Sequence, residues 1–185
     1  FKTLLPTYDV FDESRYFEPG PISDRNQIVN IDGVKVGVSI CEDLWNDERL
    51  ISRRLYHQNP ISDLDAAGAE IMINCSASPF VVDKHEFRLK LFSTQAARCE
   101  NPLVYVNQVG GNDELVFDGK SVVFDANGSV IAQAKGFTED LLVVDVPESG
   151  TGVPHAHSRQ EPQAHAGDRR ATGLESIYHA LVLGL

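Results

Sequence analysis

The strongest constraint on the fold is the alternation of short apolar runs with helix-forming stretches between residues 27 and 107. Residues 27–40, QIVNIDGVKVGVSI, hold two β-branched runs around Asp32-Gly33, a dipeptide suited to the positive φ angles of a tight hairpin. The second run leads straight into Cys41. Residues 47–59 are heavily charged and helical in composition with Pro60 as their stop, and 61–69 suit another short helix before a strand over 70–74. Asp83 is placed to cap a helix over 84–100, on which Phe87, Leu91, Phe92 and Ala96 form one apolar face and which Asn101-Pro102 ends. Further strands are predicted over 103–107, 121–125, 129–134 and 141–146. Strand and helix alternating in this way predict an α/β domain.

Composition narrows the function. With 185 residues and 42% hydrophobic side chains the chain can bury one sizeable core. Its 16 basic against 27 acidic residues leave a net charge of −11, which repels phosphate backbones and excludes nucleic acid as the expected partner. No apolar run approaches the roughly 18 residues of a membrane span, and the N-terminus lacks a signal-like h-region, so the expected location is cytoplasmic. Residues 147–172 are rich in Gly, Pro, His and Gln and predict a flexible linker, after which helical apolar periodicity returns through Leu174, Ile177, Leu181 and Leu185. Opening on Phe1 and stopping inside that pattern, the sequence is expected to continue at both ends. His155, His157 and His165 fall in the linker without a rigid frame, so no metal site is expected there.

Cys41, Cys75 and Cys99 have no CxxC spacing and read as free thiols. A thiol becomes a nucleophile as a thiolate, which needs a nearby cation and access to substrate. Cys41 ends an apolar strand and precedes Glu42-Asp43, at the sheet edge where open α/β folds build their sites. Two carboxylates buried there are costly unless partnered. On the residues alone two readings stand, a nucleophile and a small core residue that closes a strand. Cys75 alternates with Ile71 and Ile73 and is expected to point to a packed face; Cys99, beside Arg98 in a last helical turn, reads as structural.

Three co-linear segments add to this: KTLLPTYDVFDESRYFEPG from Lys2, GVSICEDLW from Gly37 and NCSASPFVVDKHEFR from Asn74. They resemble successive signatures of the nitrilase, or carbon-nitrogen hydrolase, superfamily, and are most similar to the glutaminase domains of NAD synthetases. The similarity continues through YVNQVGGNDELVFDGKSVVFDANG, and LESIYHALVLGL is similar to the start of the ATP-using synthetase domain of those enzymes. The resemblance implies a four-layer αββα sandwich, incomplete at the N-terminus. Residues 1–146 would be a partial glutaminase domain, 147–172 the linker and 173–185 the start of the synthetase domain. Between Trp45 and Ala66 the chain is longer than the family's compact form.

The resemblance also implies the chemistry, by a Glu, Lys, Cys triad. Lys2 matches the lysine and Cys41 the cysteine, while the glutamate belongs upstream of residue 1. The backbone N–H of Glu42 would be a second oxyanion donor. Tyr8 would line a glutamine pocket, and Ser78 and Lys84 would hold the substrate's α-amino and α-carboxylate ends. Glu114, near Asp118 in DELVFDG, is either an additional site carboxylate or a loop residue. The glutaminase part would use no cofactor, whereas the synthetase domain would use ATP and magnesium to turn deamido-NAD into NAD with the released ammonia. The implied partners are glutamine, the chain's own synthetase domain and further copies in a homo-oligomer, and the 185 residues alone would be inactive. Two rivals are a stand-alone amidase or nitrilase of the same superfamily and a catalytically dead assembly module.

Overall fold

The computed structural model describes residues 1–20, 28–47, 50, 56–146 and 173–183. Strands β1 (Ile28–Ile31) and β2 (Val34–Ile40) pair antiparallel across Asp32 and Gly33, whose φ angles of 51° and 93° are those of the expected hairpin turn. Strand β2 then runs parallel to β3 (Ile71–Ser76), and β3 parallel to β4 (Leu103–Asn107). Parallel neighbours need crossovers, supplied here by helices α1 (Pro60–Ala66) and α2 (Lys84–Cys99). A hairpin of β5 (Val109–Asn112) and β6 (Leu115–Asp118) leaves the sheet before β7 (Val122–Phe124) and β8 (Val130–Gln133) complete it. Among the described residues the order is β1-β2-β3-β4-β7-β8, an α/β sheet as expected.

The core lies on the helical side of that sheet. Met72, Leu103, Tyr105 and Phe124 meet Leu91, Phe92 and Ala96 of α2 and Ile61 and Leu64 of α1, all nearly inaccessible. Cys75 falls on the other face, beside Ile40 and Val106, and is exposed, which corrects the packed-face expectation. Alternation separates two faces without saying which one the helices cover.

Several element boundaries also differ from expectation. Pro60 opens α1 instead of stopping a helix, because its fixed φ suits the first helical turn and the Asn59 side chain caps it by accepting from Ser62 N at 3.2 Å. The helix expected over 47–59 lies largely outside the described residues; Asp47 and residues 56–59 are not helical. Asp83 precedes α2 in the left-handed region, φ 65°, and its side chain makes no capping bond. Phe87 is exposed and stacks on Trp45, while Arg88 and Gln95 take buried places on α2. Residues 141–146, expected as a strand, form none: among the described residues no strand pairs with them, and Leu141 and Val143 project outward at 89% and 94% exposure. The linker expected over 147–172 lies outside the described residues. Helix α3 (Gly173–Leu183) follows and packs against β6, with His179 stacked on Phe137 at 5.8 Å.

Candidate active site

Strand β2 delivers Cys41 into a 3-10 turn, Cys41–Leu44, with the cysteine itself at φ 44°. A non-glycine residue in that region is strained by about 1–3 kcal/mol and persists where its surroundings hold it. The holding group is Asp43. Its buried carboxylate accepts from the backbone N–H groups of Ile40 (3.1 Å), Thr3 (2.9 Å) and Leu4 (2.7 Å). One side chain thus fixes the end of β2 and pins the N-terminal segment against the cysteine turn. Asn74 supports the turn from β3, donating to Ser39 Oγ at 3.0 Å and to the Cys41 carbonyl at 3.4 Å.

That pinning brings the Lys2 ammonium into the electrostatic field of Cys41. Burial pushes the thiol up from its ordinary range, while the Lys2 charge opposes that push, Glu42 adds to it, and hydrogen bonds from Ala77 N–H and the Ser76 side chain relieve it. Lys2 is held in turn by an ion pair with Glu13, both side chains being largely shielded.

Glu42 has a different surrounding from its neighbour Asp43. Its carboxylate accepts from Tyr8 Oη at 2.8 Å and from Tyr56 Oη at 3.0 Å, and the residue is 5% exposed. Burial raises the carboxyl above its usual range, and the two phenols and Lys2 pull it back. Both phenols are pushed up, first by burial and then by the adjacent carboxylate.

A cavity of about 360 Å³ opens beside these groups, lined among others by Tyr8, Cys41, Glu42, Trp45, Ser78 and Lys84. Ser78 is held from behind. Arg88 Nη2 donates to its hydroxyl (3.1 Å) and its carbonyl (3.0 Å), and its N–H donates to Asn107 Oδ1 at 2.9 Å. Arg88 Nη1 simultaneously grips both Asp118 oxygens at 2.8 and 2.9 Å, a fully buried ion pair. Lys84 donates to the Pro79 carbonyl at 3.3 Å and sits 5.2 Å from the Trp45 ring centroid. Its ammonium is held below the ordinary lysine range, mainly by burial and then by Arg88.

Of the residues singled out in the sequence, Tyr8, Cys41, Glu42, Ser78 and Lys84 therefore share one cavity, and Lys2 lies close enough to act on the cysteine electrostatically. Glu114 does not join them. It is exposed in the Asp113–Glu114 turn of the β5–β6 hairpin, where only the next residue, Leu115, reaches the cavity wall. Asp118 is a structural partner of Arg88. Sequence reasoning missed Glu13, Tyr56, Trp45 and Arg88 as parts of the site. Arg88 had a signal, since Lys84 and Arg88 at i and i+4 place two cations on one face of α2. Tyr56 had none, because its partner is 14 residues away in the sequence. Among the described residues no group of three or more His, Cys, Asp or Glu could hold a metal ion, and no helix is long and apolar enough to cross a membrane.

The carbon-nitrogen hydrolase family model matches residues 2–153. Among curated relatives, the glutamine-dependent NAD(+) synthetase of Synechocystis sp. is 42% identical over the whole chain, which covers 31% of that protein. The one from Thermotoga maritima is 42% identical over 78% of the chain and 23% of its own length. The chain thus spans less than a third of these relatives. Among solved structures, glutamine-dependent NAD+ synthetase from Acinetobacter baumannii superposes with a TM-score of 0.70 at 29% identity, over 99% of this chain and 30% of that one. An amidase from Nesterenkonia sp. AN1, in a structure showing Michael addition of acrylamide at the active-site cysteine, gives 0.61 at 25% identity over 79% of this chain and 50% of its own. With the α/β fold of the nitrilase superfamily and a family match over most of its length, this chain belongs to the carbon-nitrogen hydrolase family.

Proposed function

We propose that this chain is the glutamine-hydrolysing part of a longer glutamine-dependent NAD synthetase, with Cys41 as nucleophile. The observation that carries the reading is the strained cysteine at the end of β2, opening on a cavity with both signs of charge and influenced by a fixed ammonium. Such a cavity suits a zwitterionic amino acid: Glu42 attracts the α-ammonium, and Lys84 with Ser78 takes the α-carboxylate.

The Cys41 thiolate attacks the side-chain amide carbon of glutamine. Negative charge moves to the carbonyl oxygen, where Lys2 and the backbone N–H of Glu42 stabilise it; donors at the start of a helical turn have no partner within that turn. The C–N bond breaks as nitrogen takes a proton, giving ammonia and a glutamyl thioester, and water then releases glutamate and restores the thiol. By the resemblance, a glutamate on a segment preceding Phe1 carries these protons. The ammonia serves the ATP- and magnesium-dependent conversion of deamido-NAD to NAD in the synthetase domain.

In the full-length protein, Cys41→Ala is expected to abolish NAD formation from glutamine and spare formation from added ammonium. A reactive glutamine analogue should add its mass to the peptide holding Cys41. Loss of both nitrogen sources would assign Cys41 to folding and overturn the reading. The likeness to the Nesterenkonia amidase supports a second reading, hydrolysis of another small amide. Preference for such an amide over glutamine in a competition assay would select it.

A further inference from the structure

Tyr56 contacts Glu42, which lines the cavity, and comes from outside the three signature segments. Its hydroxyl meets Glu42 Oε1 at 3.0 Å, alongside the Tyr8 hydroxyl that bridges both oxygens at 2.8 Å. The stretch that presents it is tied down locally. Asn46 Nδ2 donates to the Tyr56 carbonyl at 3.3 Å and to the Gln58 carbonyl, and Asn59 Nδ2 returns a bond to the Asn46 carbonyl at 3.2 Å. Asn59 also caps α1, so Tyr56 is anchored to a packed helix.

We propose that Tyr56 is a positioning residue for substrate binding: its hydroxyl keeps the Glu42 carboxylate ionised and fixed in the cavity wall, ready for the ammonium group of an amino-acid substrate. This rests on the reading of the cavity as a glutamine pocket. A hydrogen bond to the charged form of an acid favours that form, and Glu42 needs such help because burial disfavours its charge. The other groups facing it act in both directions. Lys2 and Tyr8 from the N-terminal segment favour the anion, as does Lys84 from α2, whereas Glu13 disfavours it and Cys41 adjoins it in the same turn. Without the Tyr56 hydroxyl the carboxyl would hold its proton to higher pH, and the ammonium site would fail earlier on acidification.

The test is glutamate release from glutamine by the full-length protein, measured across pH for wild type and Tyr56→Phe. Hydrogen bonds to charged groups are strong enough that KM should rise about tenfold with kcat little changed. The acid limb of kcat/KM should move up by about one pH unit, the same free energy read on the pH axis. In a Glu42→Gln background the Tyr56→Phe change should add nothing further to KM. A normally melting Tyr56→Phe protein with unaltered KM and acid limb, or effects that simply add to those of Glu42→Gln, would overturn the proposal. If Tyr56→Phe does not fold, Tyr56→Leu is read in the same assays with the same two outcomes. Glutamine hydrolysis that survives Cys41→Ala would sink the functional reading, and this inference with it; Cys41-dependent hydrolysis indifferent to Tyr56 would sink the inference alone.

Discussion

At the scale of single residues, the proposed chemistry asks Cys41 and its neighbours to divide the work of making a thiolate. Asp43 fixes two chain segments at once through three backbone N–H groups. Lys2 is the cation that, ahead of the hydrogen bonds from Ala77 and Ser76, offsets the burial that pushes the thiol up. Removing its charge while keeping its stem, as in Lys2→Met, should shift the pH at which Cys41 becomes reactive upward, because the charge opposing burial is lost. Iodoacetamide labelling of the full-length protein, followed peptide by peptide, gives that curve separately from the exposed Cys75. A reactivity profile unmoved by Lys2→Met would show that Lys2 does not tune the nucleophile.

At the scale of elements, helix α2 links the packed core to the cavity. Its apolar face meets the sheet, and Arg88 on the same helix bridges β6, through Asp118, to Ser78 at the cavity. Breaking a buried ion pair by removing one partner costs about 3–5 kcal/mol, because the other charge is left unpaired in a dry site. Asp118→Ala should therefore lower the melting temperature sharply, while Arg88→Met with Asp118→Leu should recover much of the loss in stability. The double variant still lacks the donor to the Ser78 hydroxyl, so glutamine binding should stay weak although the fold returns. Recovery of both melting temperature and KM would mean the pair has no role in shaping the site. The helix itself was legible from Leu91, Phe92 and Ala96, which recur on one face; the burial of Arg88 was not, since periodicity carries no information about a partner 30 residues away. Likewise Tyr8, Ser78 and Lys84 line one cavity along with the motifs that hold them, whereas the exposure of Glu114 follows from its place at the tip of the β5–β6 hairpin, which no local periodicity announces.

At the scale of the whole molecule, the parity of the strands explains both the correct and the mistaken expectations. On β2 the side chains of Val34, Val36, Val38 and Ile40 share a face, in register with Ile71, Ile73 and Cys75 on β3 and with Val104 and Val106 on β4. The opposite face carries Gly37, Ser39, Met72, Asn74, Leu103 and Tyr105, and this more polar side is the one that α1 and α2 cover. Apolar content alone would have chosen the other face, which is how Cys75 was misplaced. Parallel strands that read as continuous hydrophobic runs are those buried on both sides. Yet Ile40, Val106, Val29 and Ile31 are 36%, 45%, 45% and 53% exposed, so among the described residues part of this apolar sheet face stands open. Expressed alone, the 185 residues should consequently bind a dye such as ANS strongly and show concentration-dependent association in sedimentation, whereas the full-length protein should show neither to the same degree. Replacing Ile40 and Val106 with threonine, which keeps β-branching and reduces apolar area, should weaken both signals in the short chain. A monodisperse, dye-silent short chain would mean that this face is covered from within the 185 residues.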